Sequence, residues 1–285
     1  MAHDVSVARV MTSDPVAVHP DDPLDMVASA MGTVEARHMP VVSGGRLVGI
    51  IALRDLLAAE PPALAPDHLD HWLHRIKARR IMSRHPIVIR PGVRVGEAAS
   101  AMHRHDISCL PIVSEEDELV GIVTVADLVR RAIHLLDVEG TALGVTPSVS
   151  HLMSPSVITI AASASLAAAE LLMRRHHIHH LVVMDGAGGD HVIGILSDHD
   201  LAAMMPSSIQ RHSRREVTDA IAGVPVTDAM TRHPITVAPD LPAADAARLL
   251  LHEKIGSSPV MWHDKLVGII TERDFLAYVL SFDLD

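Results

Sequence analysis

An eight-residue pattern recurs four times and limits what this chain can fold into. Gly121-Ile-Val-Thr-Val-Ala-Asp-Leu128 returns as Gly194-Ile-Leu-Ser-Asp-His-Asp-Leu201 and as Gly268-Ile-Ile-Thr-Glu-Arg-Asp-Phe275. An altered copy stands at Gly49-Ile-Ile-Ala-Leu-Arg-Asp-Leu56, where Ala52 replaces the hydroxyl residue. The aspartates Asp55, Asp127, Asp200 and Asp274 follow one another at 72, 73 and 74 residues. A period this steady, and longer than a solenoid repeat, describes four copies of one small module. In the three intact copies an apolar run ends at Thr or Ser, with Asp three residues on. That is the signature of a strand running into a capped helix.

The surroundings of the octapeptide repeat with it. In repeat one, Met11-Thr-Ser-Asp-Pro15 is turn chemistry and Val16–Val18 a short strand. Asp21-Asp-Pro-Leu24 starts a helix, with Asp as its cap and Pro in its first turn. Leu24, Val27, Ala28 and Met31 mark its buried face. Met39–Val42 and Leu47–Ile51, around Ser43-Gly-Gly45, read as a β-hairpin, and a second helix starts near Leu53. Repeat two follows with Met82–Pro86, Ile87–Ile89, the stripe Val95, Ala98, Ala99 and Met102, and a hairpin around Ser114–Glu118. Repeat three has Val157 and Val182 where its siblings have proline, a longer turn at Asp185–Asp190, and Glu170 out of pattern on the stripe Leu166, Ala169, Met173. Repeat four has Met230–Pro234, the stripe Ala243, Ala246, Ala247 and Leu250, and a hairpin turning at His263 and Asp264.

The expected fold is therefore α+β, built of four β-α-β-β-α repeats at residues 5–60, 76–137, 148–206 and 224–282. Glu60–Pro66 reads as a rigid loop before a short helix near 68–76. Gly140–Pro147 reads as the boundary between halves 1–139 and 146–285, and Pro206–Gly223 as a polar, partly helical linker. Aromatic residues make up only 2% of the 285, so the core is aliphatic. A net charge of −11 with so few aromatics leaves neither the basic footprint nor the stacking platforms of a nucleic-acid binder. The single cysteine, Cys109, forms no internal disulfide and fits a reducing compartment. The N-terminus lacks the basic and apolar regions of a leader. No run approaches the roughly 18–20 apolar residues of a membrane span, so a cytoplasmic, membrane-free protein is expected. No nucleophile–base pair and no P-loop is present, and the repeats leave no stretch for a catalytic domain, so no catalytic residue is assigned.

The Met-Thr/Ser-x-x-Pro opener, the Pro-Val-Val-like strand and Gly-h-h-Thr/Ser-x-x-Asp-h resemble cystathionine-β-synthase-type (CBS) domains in all four copies. The resemblance implies that adjacent repeats pair about a pseudo-twofold axis into two Bateman modules. It also implies clefts between paired repeats for adenosine-containing nucleotides such as AMP, ADP or ATP, with no cofactor required. It points to a non-enzymatic regulatory protein in signal transduction, acting as a homodimer or on an effector protein.

The simplest reading of Thr124/Asp127, Ser197/Asp200 and Thr271/Asp274 is a capping box, which any helix can use. The same geometry suits a nucleotide. A helix N-terminus favours phosphate, a hydroxyl can donate to it, and a carboxylate one turn in can accept from both ribose hydroxyls. In CBS domains the matching residues have those roles. Arg273 can meet a phosphate with its fork of donors, and His199 stands at the same place in repeat three. Arg54 precedes Asp55 in repeat one, which lacks the hydroxyl. Its own site is expected to be degenerate, with Arg54 reaching into the paired cleft of Thr124 and Asp127. Thr271, Arg273 and Asp274 make the fullest set. Adenine is expected against the first strands, around Val88, Thr159 and Thr236. His176-His-Ile-His-His180 looks like a metal tract, but His180 aligns with His38, and His179 with Ser108 and Ser257, so no metal site is assigned. The alternatives are a CBS scaffold with empty sites and, as an outsider, a histidine-based metal sensor.

Overall fold

The computed structural model describes residues 5–59, 73–143, 146–186, 191–204 and 221–282. Turn chemistry sets its hairpins. Gly44 and Gly45 hold φ of 59° and 81°, both left-handed as a two-residue type I′ turn requires, so His38–Ser43 folds back on Arg46–Ala52. His263 and Asp264 make the same turn at φ 46° and 62°, between Ser257–Trp262 and Lys265–Thr271. Cys109–Val113 with Leu119–Thr124, and His180–Met184 with Val192–Ser197, complete the set. Their register pairs Ser257 with Thr271 as it pairs His180 with Ser197. Ser257 is thus the counterpart of His180, and Gly256 that of His179, one place off the alignment expected above.

Each closing strand runs straight into a helix: Leu53–Leu57, Val125–Leu143, Asp198–Met204 and Glu272–Phe282. The first helices are Leu24–Thr33, Val95–His105, Leu166–His176 and Ala243–Glu253. They bury the stripes marked in the sequence, apart from a half-buried Ala28. Glu170 turns from its stripe to Arg174 at 2.9 Å.

The openers are more than turns. Thr12–Ser13, Ser83–Arg84 and Thr231–Arg232 are short strands, and each lies antiparallel on the hairpin of the neighbouring repeat. Ser154 bridges Ile269 in the same manner. Of the expected first strands only Thr159–Ala161 forms a ladder, parallel to Val182–Met184. Val18, Ile89 and Val237 make single bridges. Neither Asp21 nor Asp22 caps the first helix. Pro23 is its N-cap residue, and Asp22 instead accepts the His19 N–H at 2.7 Å. The closing helix of repeat two continues to Leu143, past the expected boundary at Gly140, at a propensity cost of about 1 kcal/mol. The Glu60–Pro66 loop, most of 68–76, the Asp185–Asp190 turn beyond Gly186 and most of Pro206–Gly223 lie outside the described residues.

The exchanged openers join repeats one and two, and repeats three and four, as two pseudo-twofold pairs. The pairs pack on each other. Val125–Leu143 lies against both helices of repeat four, and one continuous core unites Leu110, Leu128 and Leu136 with Leu250, Phe275 and Val279. Repeats one and three keep cores of their own and meet through Leu53–Leu57 and Asp198–Met204. Among the described residues no helix is long and apolar enough to cross a membrane.

Candidate functional site

All four closing helices begin on the same device. Asp127 Oδ2 accepts from the Thr124 N–H at 2.9 Å and the Thr124 hydroxyl at 2.7 Å. Asp200 does so from Ser197 at 2.7 Å for both, and Asp274 from Thr271 at 2.7 and 2.8 Å. Asp55 has only the Ala52 N–H, at 2.9 Å. The return bond of the capping box, from the Asp N–H to the cap hydroxyl, forms at Thr124 (3.4 Å) and Ser197 (3.2 Å), while Asp274 and Asp55 act as acceptors. One carboxylate oxygen serves the cap. The other faces outward: Asp127 Oδ1 meets Arg130 at 2.8 Å, and Asp274 Oδ1 meets the Ser154 hydroxyl at 3.4 Å. Burial pushes the Asp274 carboxyl above its usual range, against its hydrogen bonds to Thr271 and Ser154.

Ser154 belongs to the opener of repeat three, so the capped helix of one repeat faces the opener of its partner. A glycine and a methionine fix that approach. A Cβ on Gly121 would stand 2.5 Å from Met11 Sδ, one on Gly49 2.7 Å from Met82, one on Gly194 2.4 Å from Met230, and one on Gly268 2.5 Å from Met153. In each pair the glycine opens the octapeptide of one repeat and the methionine opens the other repeat. Only a missing side chain lets the opener lie this close. Just beyond it, Val16, Ile87, Val88 and Ile235 expose 47, 40, 39 and 39% of their surface. Large apolar side chains thus stand open at one place in three repeats. Val88 is in that set, and Thr159 and Thr236 hold the matching exposed places in repeats three and four.

The cations expected near phosphate lie together at the junction of the two pairs. Arg54 Nη1 is 3.6 Å from Asp198 Oδ2, and His199 Nδ1 is 3.1 Å from Asp198 Oδ1. Arg273 is paired with Asp106. His179 joins the two, with Nδ1 at 3.0 Å from Asp198 and Nε2 at 3.0 Å from Asp106. The result is a chain of alternating charge, Arg54–Asp198–His179–Asp106–Arg273, that passes through all four repeats. Lys254 adds a bridge to Glu35 at 2.7 Å, and Arg37 donates to the Lys254 carbonyl.

These contacts set the titration. The hydrogen bond to Asp198 raises His179 against the effect of burial. Burial pulls Asp198 and Asp106 upward, but His179 and His199 outweigh it at Asp198, and Arg273 and His179 at Asp106, so both lie below the usual carboxylate range. Burial drives His38 and His180 down to about 4, aided at His38 by Arg54 and His199. Burial also lifts the Cys109 thiol to about 12 and raises Glu272.

Arg54 acts on Cys109, the residue registered against Thr124, but its ionic partner lies in repeat three rather than in the Thr124/Asp127 cleft. Two histidines of the 176–180 tract are absorbed by this junction: His179 bridges carboxylates, and His180 packs where a Cβ on Gly256 would come within 3.0 Å. Asp106, Asp198, Arg37 and Lys254 are the residues that sequence reasoning missed. Each has a partner in another repeat, and Asp106 and Lys254 end their helices in left-handed geometry.

CBS domain matches fall at residues 7–61, 78–134, 149–207 and 226–281. Protein MJ1404 of Methanocaldococcus jannaschii is 29% identical over 282 residues, which are 96% of this chain and 61% of that one. The inosine-5′-monophosphate dehydrogenase of Korarchaeum cryptofilum is 33% identical over 121 residues, 42% of this chain and 23% of the enzyme. The chain therefore spans less than two thirds of either relative. The crystal structure of protein MJ1225 of Methanocaldococcus jannaschii superposes with a TM-score of 0.70 at 20% identity, covering 96% of this chain and 99% of that one. Four matches, each on an opener, a hairpin and a capped helix, take up most of the sequence, and the chain belongs to the CBS-domain family.

Proposed function

We propose that this protein is a non-enzymatic sensor that binds adenosine-containing nucleotides of the AMP, ADP and ATP class in the clefts between paired repeats. The observation that carries this reading is the meeting of Asp274 with Ser154 at 3.4 Å, which sets a capped carboxylate against the opener of the paired repeat. The base lies on the apolar opener, the ribose hydroxyls donate to Asp, and the phosphate points to the helix start and to the charge chain. Thr271, Arg273 and Asp274 form the fullest site. Ser197, His199 and Asp200 form a second and Thr124 with Asp127 a third. Asp55, with Ala52 as its cap residue, forms the weakest. At the centre a phosphate competes with Asp106 for Arg273.

Ligand that binds only the folded state at 100 times its Kd adds about 2.7 kcal/mol of stability. Thermal shift with AMP, ADP, ATP, a dinucleotide and S-adenosylmethionine tests the reading. A rise with an adenine nucleotide that Asp274→Asn removes supports it, and no rise with any of the five overturns it. A scaffold role is the second reading, favoured by Val138, 50% exposed on the closing helix of repeat two.

A further inference from the structure

His179 stands where the other repeats have Arg37, Ser108 and Gly256, and each of the four offers its carbonyl to the first N–H of its closing helix. The fold asks for no histidine at this place. Both ring nitrogens of His179 nonetheless meet carboxylate, Nδ1 at Asp198 Oδ2 and Nε2 at Asp106 Oδ1, each at 3.0 Å. An ionised carboxylate only accepts, and a neutral imidazole has a single N–H, so the two bonds stand together only on a doubly protonated ring. Asp198 belongs to repeat three itself. Asp106 belongs to repeat two, so the second bond crosses between the two pairs of repeats.

When the ring loses a proton, one bond must go. Asp198 is 27% exposed and Asp106 56%, so a lost donor costs more at Asp198, where water replaces it less readily. Asp106 also keeps Arg273, which is paired with the same Oδ1. The remaining proton therefore stays on Nδ1, and Nε2 lets Asp106 go. The other groups around the ring are His199 on the closing helix of repeat three, His180 beside it on the strand, and Arg54, which reaches it through Asp198. Glu272, next to Arg273, faces Arg37 and His199. Burial holds His38 and His180 down at about 4, so neither takes up protons in the range above 6.5 where the raised His179 titrates.

We propose that His179 is a proton-operated latch between the two pairs of repeats: with two protons it ties repeat three to repeat two through Asp106, and with one it keeps Asp198 and yields Asp106 to Arg273. The bond to Asp106 is complete at low pH and is lost as pH rises through the titration of His179. The latch itself rests on contacts of the ligand-free protein. Its effect on the Arg273 site rests on the nucleotide reading. Asp106 shared with a charged His179 holds Arg273 less firmly, so a phosphate binds more tightly to the protonated form. By reciprocity, binding takes up a proton.

The test is an NMR pH titration of the histidine ring nitrogens in the ligand-free full chain, with His179 assigned among the 21 histidines by its loss in His179→Gln. The neutral ring is expected to carry its proton on Nδ1. Asp106→Asn, which suits the left-handed φ of 56° at that position, moves the titration downward. Arg273→Gln removes a repelling cation and the competitor for Asp106, and moves it upward. A neutral ring protonated on Nε2, or a titration that both variants leave in place, overturns the latch. Calorimetry with AMP in buffers of different ionisation enthalpy then counts protons, and wild type is expected to take up more than His179→Gln. Equal uptake in the two overturns the coupling and leaves the nucleotide reading standing. Absence of AMP binding counts against the nucleotide reading, and the ligand-free titration still decides the latch.

Discussion

Gly121→Ala tests how the clefts are built. The new Cβ would stand 2.5 Å from Met11 Sδ and 3.2 Å from the Thr12 carbonyl oxygen, against an optimum of roughly 3.5–4.0 Å. The methionine must retreat by about 1 Å, and the carbonyl, held in the strand that pairs Thr12 with Ile122, must give by a few tenths. Overpacking of this kind costs about 1–3 kcal/mol, or roughly 2–12 °C in thermal midpoint for a chain of this size. Met11→Ala alone removes a half-buried side chain packed on the core of repeats two and four. Combining the two lets the new methyl occupy part of the space that the methionine leaves. Chemical denaturation of wild type, both single variants and the double variant closes a mutant cycle. The double variant is expected to be more stable than the sum of the singles by about 1–2 kcal/mol. Additivity within about 0.5 kcal/mol would refute the idea that this glycine serves the opener of another repeat.

Other consequences follow from the same contacts. His38 and His180 titrate near 4 in the fold against 6.5 outside it. The unfolded chain therefore binds the extra protons, and stability falls as pH drops from 6.5 to 4, by roughly 3 kcal/mol for each group. His180→Gln is expected to flatten that limb in pH-dependent denaturation, and an unchanged slope would count against burial as the cause. His179 has the opposite sign. Its contribution is fully present below 6.5 and is lost as pH rises through its raised value. Asp106→Asn removes one of its two carboxylates, so an NMR titration of His179 should move downward. Asp274→Asn weakens the cap acceptor of the last helix, at about 0.5–2 kcal/mol, and the same loss at Asp55, where no hydroxyl joins the bond, should be smaller.

The repeating unit was legible because its signals are local. Helical stripe, type I′ turn and Thr/Ser-x-x-Asp cap each lie within about ten residues, and each of them formed. What could not be read lies between repeats. Met11-Thr-Ser-Asp-Pro15 has turn composition, and nothing within it shows that Thr12 and Ser13 will pair with Ile122 and Gly121, 110 and 108 residues away. Asp22 and Pro23 look like a helix start because Asp caps many helices, but Asp22 is drawn to the His19 N–H. The cations at 54 and 273 were visible as charges beside a phosphate-compatible helix start. Their carboxylate partners sit in repeats three and two, a pairing that only the packing of the two modules creates.

Magnitudes separate what holds the two modules together from what can switch between them. Leu250, Phe275 and Val279 are at most 3% exposed, in a core shared with Leu128 and Leu136. Full burial of such a side chain is worth about 1.5–3 kcal/mol, so that seam is the adhesive. The junction of charges differs. Arg54 is 49% exposed and Arg273 36%, and partly exposed ion pairs contribute about 0–1 kcal/mol each. Their weight is too small to hold the assembly and small enough for a bound anion to exchange. An anion that takes Arg273 from Asp106 leaves His179 with Asp106 as an uncompensated carboxylate, which favours the charged imidazole. A charged His179 binds Asp198 more strongly, and Asp198 is the partner of Arg54 in repeat one. Under the proposed function, an anion bound at repeat four would reach repeat one through these three side chains, with the apolar seam left in place.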